Sequence, residues 1–183
     1  MTSTNIPAPG YGTVAKSLHW LVVILLVTQF TLGWTMPHVG KNTLPVGLIF
    51  WHVTVGMLLL AVIAVRFGWR LVHPVAPYPG LPRWQTWIAS ALHGLLYTAV
   101  VAQILMGWAN GSARAWHVDI LGVAPMPWIV PAASPLGMDL GDIHDDFAWV
   151  LLALIGLHVA AALYHYVVRR DGVLQRMLPG SGD

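Results

Sequence analysis

The chain has 183 residues, of which 57% are hydrophobic and only 9% charged, against about 25% charged in an ordinary soluble domain. So few charges cannot cover a soluble surface, so lipid is the natural solvent; a net charge of +2 with no basic run offers nothing to grip a nucleic acid. The absence of cysteine excludes disulfides, thiolate catalysis, cysteine zinc sites, iron–sulfur clusters and covalently attached c-type haem. Nine His in so apolar a chain are then the main clue to its chemistry.

A spanning helix needs about 20 mostly apolar residues, and four segments free of Asp, Glu, Lys and Arg qualify. The first helix is predicted over 17–36, ended by Pro37; it is too long for a signal-peptide core and lacks a clear cleavage site, so it reads as retained. The second is predicted over 46–69 and the third over 86–110. Residues 111–141 form a long outer connection whose apolar middle carries Pro125, Pro127, Pro131 and Pro135. Prolines at that density break a helix, so this part reads as an interfacial or re-entrant loop. The fourth helix is predicted over 143–168. Neither an internal repeat nor a separate soluble domain is apparent, and 1–183 reads as one membrane domain.

Orientation follows from the basic residues. With the N-terminus inside, Lys16, Arg66, Arg70, Arg83, Arg169, Arg170 and Arg176 lie inside, and only Lys41 and Arg114 lie outside. Both termini are therefore predicted cytoplasmic, in an all-α bundle of four transmembrane helices. Trp20, Trp34, Trp51, Trp69, Trp84, Trp87 and Trp108 fit interfacial belts.

Intramembrane polar residues are costly and tend to be functional. His144 and His158 are 14 residues apart, about 21 Å along a helix axis and about 40° short of four full turns. Both imidazoles thus leave helix 4 on nearly one face, one near each membrane surface. His19 opens helix 1 at the inner side and His52 opens helix 2 at the outer side. The topology offers an inner pair, His19 with His158, and an outer pair, His52 with His144, each able to clamp one haem iron. His165 shares the face of His158, so geometry alone leaves His165 open as the alternative ligand, or as a partner for a haem propionate. His93 can replace an inner ligand, line a quinone pocket or donate to a carbonyl. Gly33, Gly56 and Gly156 can give room to a porphyrin or simply pack helices. Asp145 and Asp146 read either as acids at a helix N-terminus or as acceptors for the His144 N–H. Arg66, Arg70 and Arg169 read as inner anchors, of which one or two can neutralise propionates. His38, His73 and His117 read as solvated.

The residues Ser17-Leu18-His19-Trp20-Leu21, Trp51-His52-Val53 with Gly56, and Leu92-His93-Gly94 through Tyr97 resemble the bacterial cytochrome b561 family. So does the end of the chain: Gly156-Leu157-His158, Ala160 to Tyr166, Asp171, Leu174 and Arg176-Met177-Leu178-Pro179. The likeness runs from about Tyr11 to Pro179 and departs in the proline-rich connection. It implies an inner-membrane dihaem b protein with axial ligands at His19, His52, His144 and His158, favouring His158 over His165. It also implies a superoxide oxidase activity, superoxide giving electrons at the outer face and ubiquinone accepting them. Two readings stand beside it: a haem b subunit exchanging electrons between quinone and a separate redox partner, and a haem-free transporter or anchor. Bis-histidine ligation leaves iron no open position, so outer-sphere one-electron transfer is the expected chemistry.

Overall fold

The computed structural model describes residues 10–40, 42–76, 78 and 80–179. Four long helices dominate it: α1 (Thr13–Thr35), α2 (Leu48–Val72), α3 (Arg83–Ala113) and α4 (Pro135–Tyr164). All four are long and apolar enough to cross a membrane, and only 6–28% of the most apolar stretch of each is buried inside the protein. Faces so apolar and so little covered need lipid as their solvent. The chain is thus a multi-pass helical membrane protein.

Helix α1 packs on α2 and α3 packs on α4, giving two helical hairpins that touch each other most between α2 and α3. The core between them is built from Val22 and Leu25 of α1, Leu59, Val62 and Ile63 of α2, Ala99, Val100 and Ile104 of α3 and Leu151 of α4. Every helix starts or ends a few residues from its predicted bounds. The large departure is α4, which begins at Pro135, eight residues before the predicted 143. Pro135 is not a breaker there. Its ring fixes φ near the helical value and its missing N–H is one the first turn does not use. Ser134 caps the start, its Oγ accepting from the Gly137 N–H at 3.4 Å.

That early start is possible because α3 and α4 approach closely at the outer end. A Cβ at Gly137 would lie 2.6 Å from Ala113 Cβ and 2.9 Å from the Ala109 carbonyl oxygen, and one at Gly141 would overlap the Asn110 side chain. A pair of glycines four residues apart lets two backbones meet.

The outer connection is a folded cap, not a re-entrant loop. Asp119–Ile120 (β1) pairs antiparallel with Ala124–Pro125 (β2). Beneath them Trp116, Val118 and Met126 form a second core with Ile49 of α2. Three indole N–H groups pin the cap: Trp108 to the Pro127 carbonyl (2.7 Å), Trp116 to the Thr43 carbonyl (2.8 Å) and Trp128 to the Trp116 carbonyl (3.1 Å). Trp108 thus also serves as a structural donor, and Trp34, Trp51, Trp84 and Trp87 are exposed as a belt requires.

At the inner end the last turn of α4 widens to π geometry over His165–Arg169 and stops at Arg170, whose φ of 51° is left-handed. The tail then folds back. Trp20 Nε1 donates to the Met177 carbonyl at 2.9 Å, and the Arg176 guanidinium lies over the Tyr11 and Tyr78 rings.

Candidate functional site

The predicted pairs come together at opposite ends of the bundle. At the outer end the His52 and His144 ring centres are 6.1 Å apart with planes at 86°. At the inner end those of His19 and His158 are 6.3 Å apart with planes at 74°. Two imidazole nitrogens binding a metal in line at about 2.0–2.1 Å, each about 1.1 Å from its ring centre, set the centres about 6.3 Å apart. Each pair spans from one hairpin to the other, so an iron between the rings would sit between the hairpins.

The outer histidines are seated on glycines of the neighbouring helix. A Cβ at Gly107 would lie 2.9 Å from His144 Cε1, and one at Gly33 would lie 3.4 Å from His52 Cε1. His144 Nδ1–H donates to the Gln103 carbonyl at 2.8 Å, and Gln103 Nε2 donates back to the His144 carbonyl at 2.8 Å. This exchange leaves Nε2 as the lone-pair nitrogen of His144, which is how metal-binding histidines are commonly oriented. His52 Nδ1 is buried and makes no hydrogen bond of good geometry, with the Gln29 carbonyl beside it. Asp145 and Asp146 are exposed. Neither orients His144, and ten residues into α4 neither marks its start. Gly56 gives its space to Gln29, whose Nε2 would be 2.9 Å from a Cβ there, while Gly156 faces open space.

At the inner end His158, and not His165, faces His19. His165 Nδ1 lies 2.6 Å from Asp171 Oδ2, and Arg169 Nε is 3.8 Å from the same oxygen. His165 thus has a carboxylate partner six residues on at Nδ1. His93 Nδ1 donates to the Ala89 carbonyl at 2.6 Å, the last of the three roles its position allowed, and its ring stands 5.2 Å from that of His158. A cleft at this end is lined by Tyr11, Leu18, Arg66, Trp69, Arg70 and Tyr97. Arg66 Nη1 donates to the Ala15 carbonyl at 3.0 Å, and the buried Tyr97 hydroxyl has no partner. Two guanidiniums and an unsatisfied hydroxyl beside an imidazole pair suit the acidic edge of a haem. The residues at both ends therefore suit a haem.

A family model described as prokaryotic cytochrome b561 matches residues 10–180. This chain belongs to the prokaryotic cytochrome b561 family. It is 27% identical to cytochrome b561 homolog 2 of Escherichia coli (strain K12), over 97% of this chain and 95% of that protein. It is 31% identical to cytochrome b562 of Cereibacter sphaeroides, over 93% and 96%. It is 26% identical to a Yersinia pestis protein named probable superoxide oxidase CybB, over 92% and 96%. The family binds haem b and transfers electrons in the membrane, which sets aside the haem-free transporter or anchor.

The Gly107 seat, the Gln103 carbonyl and the Asp171 partner of His165 were not found from the sequence. Gln103 alone carried a signal, being an uncharged polar residue in the middle of an apolar span.

Proposed function

We propose that this chain holds two haems b, one between His52 and His144 and one between His19 and His158, and passes single electrons from superoxide at its outer face to ubiquinone. The observation that carries the reading is the pair of cross-hairpin imidazole contacts at 6.1 and 6.3 Å, one at each end of the bundle. The haems supply reversible one-electron iron chemistry. His19 with His158 and His52 with His144 would each hold one haem between two imidazoles, leaving no open position for oxygen or peroxide. Gln103 fixes the donor nitrogen of His144, Arg66 and Arg70 offset acidic groups at the inner end, and the indole-pinned cap covers the outer end. Superoxide as donor rests on the family resemblance and on a relative named probable superoxide oxidase. Relatives named only as cytochromes favour keeping a second reading, a haem b subunit that exchanges electrons between quinone and another redox protein.

Purified protein should contain two haems per chain, all extractable by acid–acetone, with low-spin b-type spectra. His52→Ala and His144→Ala should each remove the same haem, and His158→Ala the other. One haem or none per wild-type chain overturns the ligand assignment. Stopped-flow reduction by superoxide with ubiquinone present should outrun spontaneous dismutation. If it does not, the second reading replaces the first while the ligands stand.

A further inference from the structure

The seats of the outer histidines expose a relation between the two halves of the chain. His52 of α2 rests on Gly33 of α1, and His144 of α4 rests on Gly107 of α3. Each glycine precedes a tryptophan and follows a glutamine by four residues. At an offset of 74, segment 18–34 matches 92–108 at Leu18/Leu92, His19/His93, Leu21/Leu95, Val27/Val101, Gln29/Gln103, Gly33/Gly107 and Trp34/Trp108. At an offset of 92, α2 matches α4 at His52/His144, Leu59/Leu151, Leu60/Leu152, Ala61/Ala153 and Ile63/Ile155. Leu59 and Leu151 are both core residues. The two hairpins thus correspond at these positions, a sparse likeness at two different offsets. The extra 18 residues (92 − 74) fall between α3 and α4.

Among the positions that differ, one bears on the inner site: His158 of α4 corresponds to Arg66 of α2 (66 + 92 = 158). The outer site is symmetric, since His52 and His144 exchange under the relation. The inner site instead gathers His19, its counterpart His93, His158 and Arg66. The position corresponding to His158 in the first hairpin is a guanidinium, which cannot ligate iron, so His93 has no ligand opposite it.

We propose that His93 is a positioning residue for the inner haem, accepting the ring N–H of His158 that the iron does not use and thereby setting the donor strength of that ligand. The inference rests on the proposed ligation by His19 and His158. His93 commits its Nδ1–H to the Ala89 carbonyl at 2.6 Å, so its Nε2 is a free acceptor. The ring centres of His93 and His158 are 5.2 Å apart. An in-line N–H···N bond of about 2.9 Å, with about 1.1 Å to each ring centre, needs about 5.1 Å. A metal between the same two rings would need about 6.3 Å, so the spacing suits a hydrogen bond and not a second ligand pair. The rings meet edge to face at 74°, so the proposed bond requires the His158 ring to turn until its N–H points at His93 Nε2. Metal-bound histidines almost always give their second N–H to an acceptor. His144 gives its own to Gln103, while among the described residues no hydrogen bond is made by the His158 ring.

An acceptor on that N–H makes the imidazole a stronger donor, favours ferric iron and lowers the reduction potential. The test is a redox titration of His93→Leu and His93→Gln in detergent, followed optically and by EPR, with the outer haem identified by its loss in His144→Ala. The leucine variant should shift the inner haem's potential upward and alter its EPR signature, leaving the outer haem unmoved. Glutamine, whose Oε1 can accept, should return the potential towards the wild-type value. An unchanged inner potential in His93→Leu, or an equal shift of both haems, overturns the proposal. If the leucine variant does not hold the inner haem, His93→Asn takes its place: too short to reach His158, it should raise the potential relative to His93→Gln, and equal potentials overturn the inference. Retention of both haems in His158→Ala would instead overturn the ligand reading on which it rests.

Discussion

Gly107 is where one missing methyl group matters most to a proposed ligand. A Cβ there would lie 2.9 Å from His144 Cε1, closer than real Cβ contacts allow, and 3.1 Å from Nδ1, on a ring held by its bond to the Gln103 carbonyl. Overpacking of this kind costs about 1–3 kcal/mol, and here the displaced atoms are those that would hold the iron. At Gly33 the corresponding Cβ would be 3.4 Å from His52 Cε1, a contact a small ring shift absorbs. Gly107→Ala should therefore lower outer haem content or convert it to a high-spin spectrum. Gly33→Ala should do so weakly, and Gly156→Ala, with nothing within 4 Å, should leave haem content unchanged. Haem per chain and the low-spin bands measure all three. A fully loaded, spectrally normal Gly107→Ala protein would show that the ring is free to move.

The outer third of α4 depends on a cap and a close approach, and each can be tested alone. Removing the Ser134 hydroxyl should cost about 0.5–2 kcal/mol, read as a modest fall in thermal midpoint with both haems retained. Gly137→Ala should cost more, because its Cβ would meet Ala113 and the Ala109 carbonyl, both fixed parts of α3. It should also loosen His144, which lies two turns further along the same helix. A Gly137→Ala midpoint no lower than that of Ser134→Ala would mean that the two helices part easily. The same region shows what the sequence could reveal. Four apolar runs and histidines spaced 14 apart are one-dimensional signals, and they led to the spans and to which histidines meet. The start of α4 was hidden because Pro135 looks the same in a sequence whether it ends a segment or occupies the first helical position. The correspondence between the hairpins was hidden because its matches are sparse and lie at two different offsets. In the fold, two glycines play the same part beneath two histidines.

Across the whole molecule the basic residues collect at the inner end, and this bears on how an anionic donor would reach the outer one. Sequence left Lys41 and Arg114 as the only outer cations, facing Asp119, Asp139, Asp142, Asp145 and Asp146, a sum of −3 (2 − 5). Arg114 is committed to structure: Nη1 donates to the Gly40 carbonyl at 2.6 Å, Nε donates to Asn110 Oδ1 at 2.7 Å, and the guanidinium lies over Trp116 at 5.9 Å. It fastens the end of α3 to the connection between α1 and α2. Lys41 lies outside the described residues. Attraction of superoxide by exposed charge fades over about a Debye length, roughly 10 Å at 0.1 M salt, and a clasped, half-buried guanidinium contributes little to it. The two cations should therefore separate by experiment. Arg114→Gln should lower the thermal midpoint, because the Gly40 and Asn110 contacts go, and should leave the salt dependence of haem reduction by superoxide as in wild type. Lys41→Gln should leave the midpoint unchanged, slow that reduction at low salt and flatten its salt dependence. Stopped-flow reduction across a salt series, paired with thermal melts of the same preparations, measures both. Equal flattening by the two substitutions would mean that Arg114 guides the anion as well as fastening the cap.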